Sequence, residues 1–343
     1  VSAIISSQAL LAIADAWLAR GGSVAGPSRV KPDLVLYRPI QASAQLLLDG
    51  FIHPQNSIKE FFLPRHEPIY TYRFKGKKIE LGDIEPPGTP RLILAARPCD
   101  AAMLPILDRV FNWDYQDKFY NRRREAATVV ALACTAFDDN CFCTSVGITP
   151  SSERGADALL LPLGDGSYEV RCLTDKGTAL FAGQTTPGTQ TGTATPGPEK
   201  RFDLDAIRTF LQGHYEDPAW QEIALRCLGC GACAYTCPTC HCFDIVDEGT
   251  GAGGARVKNW DCCQFGQFTL HASGHNPRTA QAHRQRQRTL HKFSIYPEKF
   301  GENLCTGCGN CTRNCPVSLG ILTAMDRLGR SLAAPRAPEK PAV

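Results

Sequence analysis

The residues with the clearest chemistry are cysteines. They fall into two runs of one pattern, Cys227-Leu-Gly-Cys230-Gly-Ala-Cys233-Ala-Tyr-Thr-Cys237-Pro238 and Cys305-Thr-Gly-Cys308-Gly-Asn-Cys311-Thr-Arg-Asn-Cys315-Pro316. Cys-x2-Cys-x2-Cys-x3-Cys-Pro is a spacing by which thiolates hold cubane [4Fe-4S] clusters, and the chemistry it points to is electron transfer. Three thiolates at i, i+3 and i+6 let a tight loop close around one cluster. Gly229, Gly231, Gly307 and Gly309 let the backbone approach its sulfides. Structural zinc usually takes two separated pairs of ligands, so a repeated triple followed by Cys-Pro fits zinc poorly.

The paired runs resemble those of two-cluster bacterial ferredoxins, in which the fourth cysteine, turned away by the following proline, ligates the other cluster. The resemblance implies one cluster on Cys227, Cys230, Cys233 and Cys315, and a second on Cys305, Cys308, Cys311 and Cys237. Two further groups are less regular. Cys99, Cys134, Cys141 and Cys143 follow two predicted strands and would gather at one sheet edge, either around a third iron–sulfur cluster or as small buried hydrophobes. Cys240, Cys242, Cys262 and Cys263 lie between the two runs, as further iron ligands or as neighbours that tune a cluster; the lack of a clear four-ligand spacing argues for neighbours. His271, His275, His283 and His291 read as hydrogen-bonded core or surface groups. Arg278, Arg284, Arg286, Arg288 and Lys292 read as the solvated face of a basic helix, with steering of an acidic electron-transfer partner as the functional alternative.

The elements that must position these residues can be sketched. A chain of 343 residues, 43% apolar, exceeds one ordinary domain. Residues 2–19 carry Leu10, Leu11, Ile13, Ala14, Trp17 and Leu18 at helical spacing and predict an amphipathic helix, not an address or a membrane segment. Leu34–Tyr37, Arg91–Ala96, Thr128–Ala133, 159–161 and 168–172 predict strands, and Ser57 with Glu60 a capped helical turn. The Thr, Gly and Pro run at 184–198 predicts a flexible linker or surface loop spanning 183–202. Helices are predicted over Asp203–His214, Pro218–Arg226 and Leu319–Leu332, with a disordered tail over 331–343. The predicted fold class is α+β: a mixed α/β domain at 1–182, then a mainly helical, bacterial-ferredoxin-like two-cluster domain at 203–330 with a long insert between the runs.

Composition excludes several classes. The 17 cysteines cluster in metal-type spacings within a long chain, which favours a reducing cytoplasm over a disulfide scaffold. A net charge of +3 gives no nucleic-acid footprint. No stretch is long and apolar enough to enter a bilayer directly. There is no G-x-G-x-x-G after a strand, no P-loop and no H-E-x-x-H, and no residue is assigned a catalytic role.

Taken with the second cysteine run, Arg97-Pro-Cys-Asp100, Cys141-Phe-Cys-Thr-Ser145, Cys237-Pro-Thr-Cys-His-Cys-Phe-Asp244, Trp260-Asp-Cys-Cys-Gln-Phe265, Ser273-Gly-His-Asn-Pro-Arg278 and His291-Lys-Phe293 resemble a known family. It is the iron–sulfur β subunit of sulfhydrogenases, the group 3 nickel–iron hydrogenases, which is similar to the A subunit of anaerobic sulfite reductase. The resemblance spans about 90–330 and departs from the family at Cys262, where Ser is expected, and in an insertion at 184–198. It implies an electron carrier between a flavin subunit that handles NAD(P)H and a nickel–iron hydrogenase or sulfite reductase subunit. A self-standing cysteine or cluster redox enzyme is the contrasting reading from another class.

Overall fold

A computed structural model describes residues 2–333. The central strands follow from continuous apolar runs. β1 (Ser2–Ser6), β2 (Ser23–Lys31) and β3 (Leu34–Ile40) precede a hairpin of β4 (His66–Lys75) and β5 (Lys78–Asp83), followed by β6 (Arg91–Ala96) and β7 (Ala127–Leu132). β8 (Ala158–Pro162), β9 (Ser167–Cys172), β10 (Thr186–Gly188), β11 (Phe243–Thr250) and β12 (Gly253–Trp260) complete the set. Eight strands form one sheet in the order β10-β1-β9-β8-β7-β6-β2-β3. Its centre, β2, β6, β7 and β8, is parallel. Every residue of β7 is buried, as a parallel strand covered on both faces requires. Because β6 and β7 run the same way, their carboxyl ends, which lead to Cys99 and Cys134, open on one edge of the sheet.

Three elements differ from the sequence-based expectation. Residues 2–6 are a strand, and the helix begins only at Ser7, where the Ser6 hydroxyl accepts the Ala9 N–H. The β-branched pair Ile4-Ile5 aligns with Glu169 and Tyr168 of β9. The insert between the cysteine runs folds in part as the hairpin β11–β12, and β12 pairs with β4, so a second sheet, β11-β12-β4-β5, is shared by residues from both expected domains. Glu67 of β4, with its side chain almost fully buried, locks that junction by pairing with Arg123 and, at 2.7 Å, with Lys258 of β12.

The third difference concerns 183–202, expected as a flexible linker or loop: it is a loop, but a fixed one and not a linker. It is a strap: β10 pairs with β1, and the N–H groups of Gly192, Thr193 and Thr195 donate to Glu169 and to the carbonyls of Pro162 and Cys134. Gly192 is required there, since a Cβ would lie 2.4 Å from the Leu161 carbonyl oxygen. Low-complexity sequence is held here by backbone hydrogen bonds, which need no apolar side chain.

The helices Leu204–Gly213, Ala219–Ala224, Gln281–Leu290 and Ile321–Ala333 surround the cysteine runs. Their core of Ile207, Phe210, Trp220, Phe293, Met325 and Leu328 is continuous with Phe142, Val146 and Ile148 from the α/β half. The expected disordered tail falls largely on 334–343, outside the described residues, while 331–333 continue the last helix. No described helix is long and apolar enough to cross a membrane.

Candidate iron–sulfur site

Both cysteine runs fold alike. Their glycines adopt the left-handed conformation, with φ of 67° and 78° at Gly229 and Gly231 and of 67° and 80° at Gly307 and Gly309. The third cysteine of each run then sits in a one-turn helix, Ala232–Tyr235 or Asn310–Arg313. The second run also has a neighbour that leaves no room for a side chain: a Cβ on Gly307 would lie 2.4 Å from the Cys143 Cα. The Phe142 N–H donates to the Gly307 carbonyl at 3.0 Å, so the 140–143 loop is pressed against this run.

Cys227, Cys230 and Cys233 line one small pocket, and the fourth cysteine in its wall is Cys315, from the other run. Cys237 lies instead among the thiols of the second run. Burial pushes the Cys305 thiol up to about 12, with Cys237 among the groups adding to the rise. Cys308 is pushed well up by burial, then by Asp100 and Cys237. Among the described residues, no three sulfurs of these sets converge within 4.8 Å, as the ligands of a single ion do. The donor sets fit a body larger than one metal ion.

The charges around them fit an anionic group. One helical stripe, Gln281, Gln285, Arg288 and Lys292 at i, i+4, i+7 and i+11, faces the cysteines. Gln281 and Gln285 each donate a side-chain N–H to the Cys227 sulfur, at 3.1 and 3.0 Å. Lys292 Nζ donates to the Cys237 sulfur at 3.4 Å and to the Leu304 carbonyl at 2.9 Å. Arg288 is 2% exposed, and none of its three guanidinium nitrogens has a hydrogen-bond partner. Burial opposes its charge, but the thiols of Cys233 and Cys311, one from each set, lead the groups that hold it protonated. An uncompensated guanidinium in such a place costs several kcal/mol, roughly; thiolate-bound iron–sulfur clusters carry the negative charge that offsets it. A third buried cation, Lys59, donates to the carbonyls of Ala234 and Cys240 and lies 3.9 Å from the centre of the Trp260 ring.

This corrects the reading of the basic helix as a solvated face. Arg286, Arg288 and Lys292 are buried. Arg286 pairs with Glu216 at 2.8 Å, and Arg284 is spent on Gln281 and on the carbonyls of Arg278 and Thr279. The steering alternative is left with the partly exposed Arg278 and Arg284.

The two less regular groups are each brought together. Cys99, Cys134, Cys141 and Cys143 meet at the carboxyl edge of β6 and β7, where burial and the neighbouring thiols Cys134 and Cys141 push Cys143 up to about 12. Arg313 donates to the Cys141 sulfur at 3.0 Å and pairs with Asp138. Cys240 and Cys242 precede β11, and Cys262 and Cys263 follow β12. The register that sets Phe243 against Trp260 closes the open end of the hairpin and brings Cys242 and Cys263 into contact. His291 and His241 are half-buried, and both are held down to about 4 chiefly by desolvation. Sequence reasoning missed Lys59, Gln281 and Gln285, although the last two complete a polar stripe of helical period with Arg288 and Lys292. It also missed His53, which no spacing links to a cysteine.

Two cysteine runs brought together, around which buried cations and amides converge, define an iron–sulfur protein. Residues 226–319 match the family described as a 4Fe-4S dicluster domain. Well beyond that segment, the chain is similar to sulfhydrogenase 2 subunit beta of Pyrococcus furiosus, with 30% identity over 287 residues, 80% of this chain and 83% of that protein. The chain belongs to the sulfhydrogenase β-subunit family. No solved structure matches it significantly.

Arg288→Gln keeps a polar side chain and removes the charge. The iron–sulfur reduction potentials are expected to fall by on the order of 100 mV, the effect of one charge a few ångström away at an effective dielectric of about 20. EPR-monitored redox titration checks this, and unchanged potentials with clusters intact would contradict the role given to Arg288.

Proposed function

We propose that this chain is the iron–sulfur relay subunit of a cytoplasmic hydrogenase complex, carrying electrons between a flavin subunit that handles NAD(P)H and a nickel–iron catalytic subunit. The observation that carries the reading is the pairing of Cys315 with the first run and Cys237 with the second, across one buried, unpartnered Arg288. In this reading two [4Fe-4S] clusters are held by Cys227, Cys230, Cys233 and Cys315, and by Cys305, Cys308, Cys311 and Cys237. Bound there, they accept and release electrons singly.

The chain's own residues do the rest. The thiolates fix position, and crossed ligation binds both clusters into one rigid unit. Gln281 and Gln285 donate hydrogen bonds to the Cys227 sulfur, an interaction that tunes potential. Lys292 and Arg288 offset negative charge that burial would otherwise penalise. The similarity to a sulfhydrogenase subunit supports a hydrogenase assembly over the anaerobic sulfite reductase alternative. The relay asks nothing of the Cys99 group or of Cys240, Cys242, Cys262 and Cys263; the latter serve as cluster neighbours.

Affinity purification under anaerobic conditions is expected to bring down a nickel–iron large subunit and a flavoprotein; recovery with a sirohaem subunit would overturn the hydrogenase assignment. Crossed ligation has its own test. Cys237→Ser should damage the cluster built on Cys305, Cys308 and Cys311, and Cys315→Ser the one built on Cys227, Cys230 and Cys233, as read by EPR. The opposite assignment of losses would refute the exchange.

A further inference from the structure

Beside the second cysteine run lies a cluster of side chains that the relay does not use. His53, Cys99 and Asp100 are all buried, and they form a group of three donor atoms within 4.8 Å of one another. His53 Nε2 is 3.3 Å from the Cys99 sulfur and 3.1 Å from Asp100 Oδ2. His53 Nδ1 is 2.7 Å from the Pro54 carbonyl oxygen, which can only accept, so Nδ1 carries the proton. In the neutral ring Nε2 then presents a bare lone pair to the thiol and the carboxylate.

Asp100 is fully buried, and neither of its oxygens receives a hydrogen bond. The nearby guanidinium of Arg97 is committed elsewhere, donating to the carbonyls of Ile52 and Phe51 at 2.8 and 2.6 Å, where it fixes the segment that carries His53. With His53 neutral and Cys99 ionised, as metal ligands are, three electron-pair donors meet with no donor hydrogen between them, and two of them, thiolate and carboxylate, are anionic. A buried carboxylate without a partner is costly. A divalent cation satisfies all three donors and brings their summed charge to zero.

We propose that His53 Nε2, Cys99 Sγ and Asp100 hold a single divalent cation of the zinc class. Tetrahedral zinc with ordinary bond lengths sets nitrogen and oxygen ligands about 3.4 Å apart and nitrogen and sulfur ligands about 3.6 Å apart, close to the separations seen here. Mixed nitrogen, sulfur and oxygen ligation suits this borderline metal, and three protein ligands leave its fourth position to water. The assignment withdraws Cys99 from the candidate third iron–sulfur cluster and leaves Cys134, Cys141 and Cys143 without it.

The ion would act as a clamp. The segment carrying His53 continues into Gln55 and Asn56, whose carbonyls accept from the side chains of Asn314 and Asn310 in the second cysteine run, at 2.9 and 3.0 Å. Cys99 and Asp100 stand at the end of β6. One ion therefore joins the sheet edge to the segment that grips the second run. The site does not depend on the relay reading, and its test is separate.

The full chain, purified anaerobically and dialysed against a weak chelator, is loaded with zinc and assayed for zinc, iron and acid-labile sulfide. One zinc per chain is expected, with a zinc-edge absorption spectrum of one sulfur at about 2.3 Å and nitrogen or oxygen neighbours at about 2.0–2.1 Å. His53→Gln and Asp100→Asn, both near-isosteric, should each lose the zinc while iron and sulfide stay unchanged, which also shows that the fold persists. Zinc retained by both variants, an all-sulfur shell, or no zinc bound by the unaltered chain would overturn the site. Iron and sulfide falling together in His53→Gln would place Cys99 on a cluster and overturn it equally. Iron and sulfide short of two clusters in the unaltered chain would count against the relay instead, whatever the zinc result.

Discussion

The rest of the molecule depends on how negative charge is kept out of water. Thiolates around an iron–sulfur cluster are stable in a protein interior only if cations or hydrogen-bond donors face them. Here one helix supplies most of both. Gln281, Gln285, Arg288 and Lys292 project from a single face, and the helices Leu204–Gly213, Ala219–Ala224 and Ile321–Ala333 pack so that this face stays buried. Arg288 is the extreme case, a buried guanidinium with no hydrogen-bond acceptor. Such a residue makes sense only opposite a delocalised anion, and its strongest partners come from both cysteine sets at once.

The two halves of the chain are built into each other, which suits a rigid electron path. The insert between the cysteine runs lends β12 to β4, the 140–143 loop lies against Gly307 and Gly309, and the strap at 184–198 ties β10 to the edge of the large sheet. A core shared between the α/β half and the helices leaves no soft joint between them. A shared core of this kind holds the cysteine sets in one packed unit, the property an electron-transfer unit needs.

What was legible in the sequence was local. Cysteine spacing and the small residues between the thiols are enforced within a dozen residues, so the two runs declare themselves, and the buried strands β6 and β7 do so through unbroken apolar runs. The hairpin β4–β5 was hidden because its partner, β12, lies far along the chain and no local pattern announces the pairing. Composition misled at 184–198, where Thr and Gly are held by backbone hydrogen bonds. It misled again at 284–292, where arginines that look solvated are turned inward by charge opposite them. His53 had no local signal, since its neighbours Cys99 and Asp100 arrive from the helical turn after β6.

The account stands most directly on two clusters being close, in one unit, around Arg288. EPR of the fully reduced chain measures that. Two paramagnetic clusters held by exchanged cysteines should give a broadened, spin-coupled spectrum that integrates to two spins per chain, unlike the sum of two isolated signals. Two sharp, independent signals, or a single spin, would contradict it.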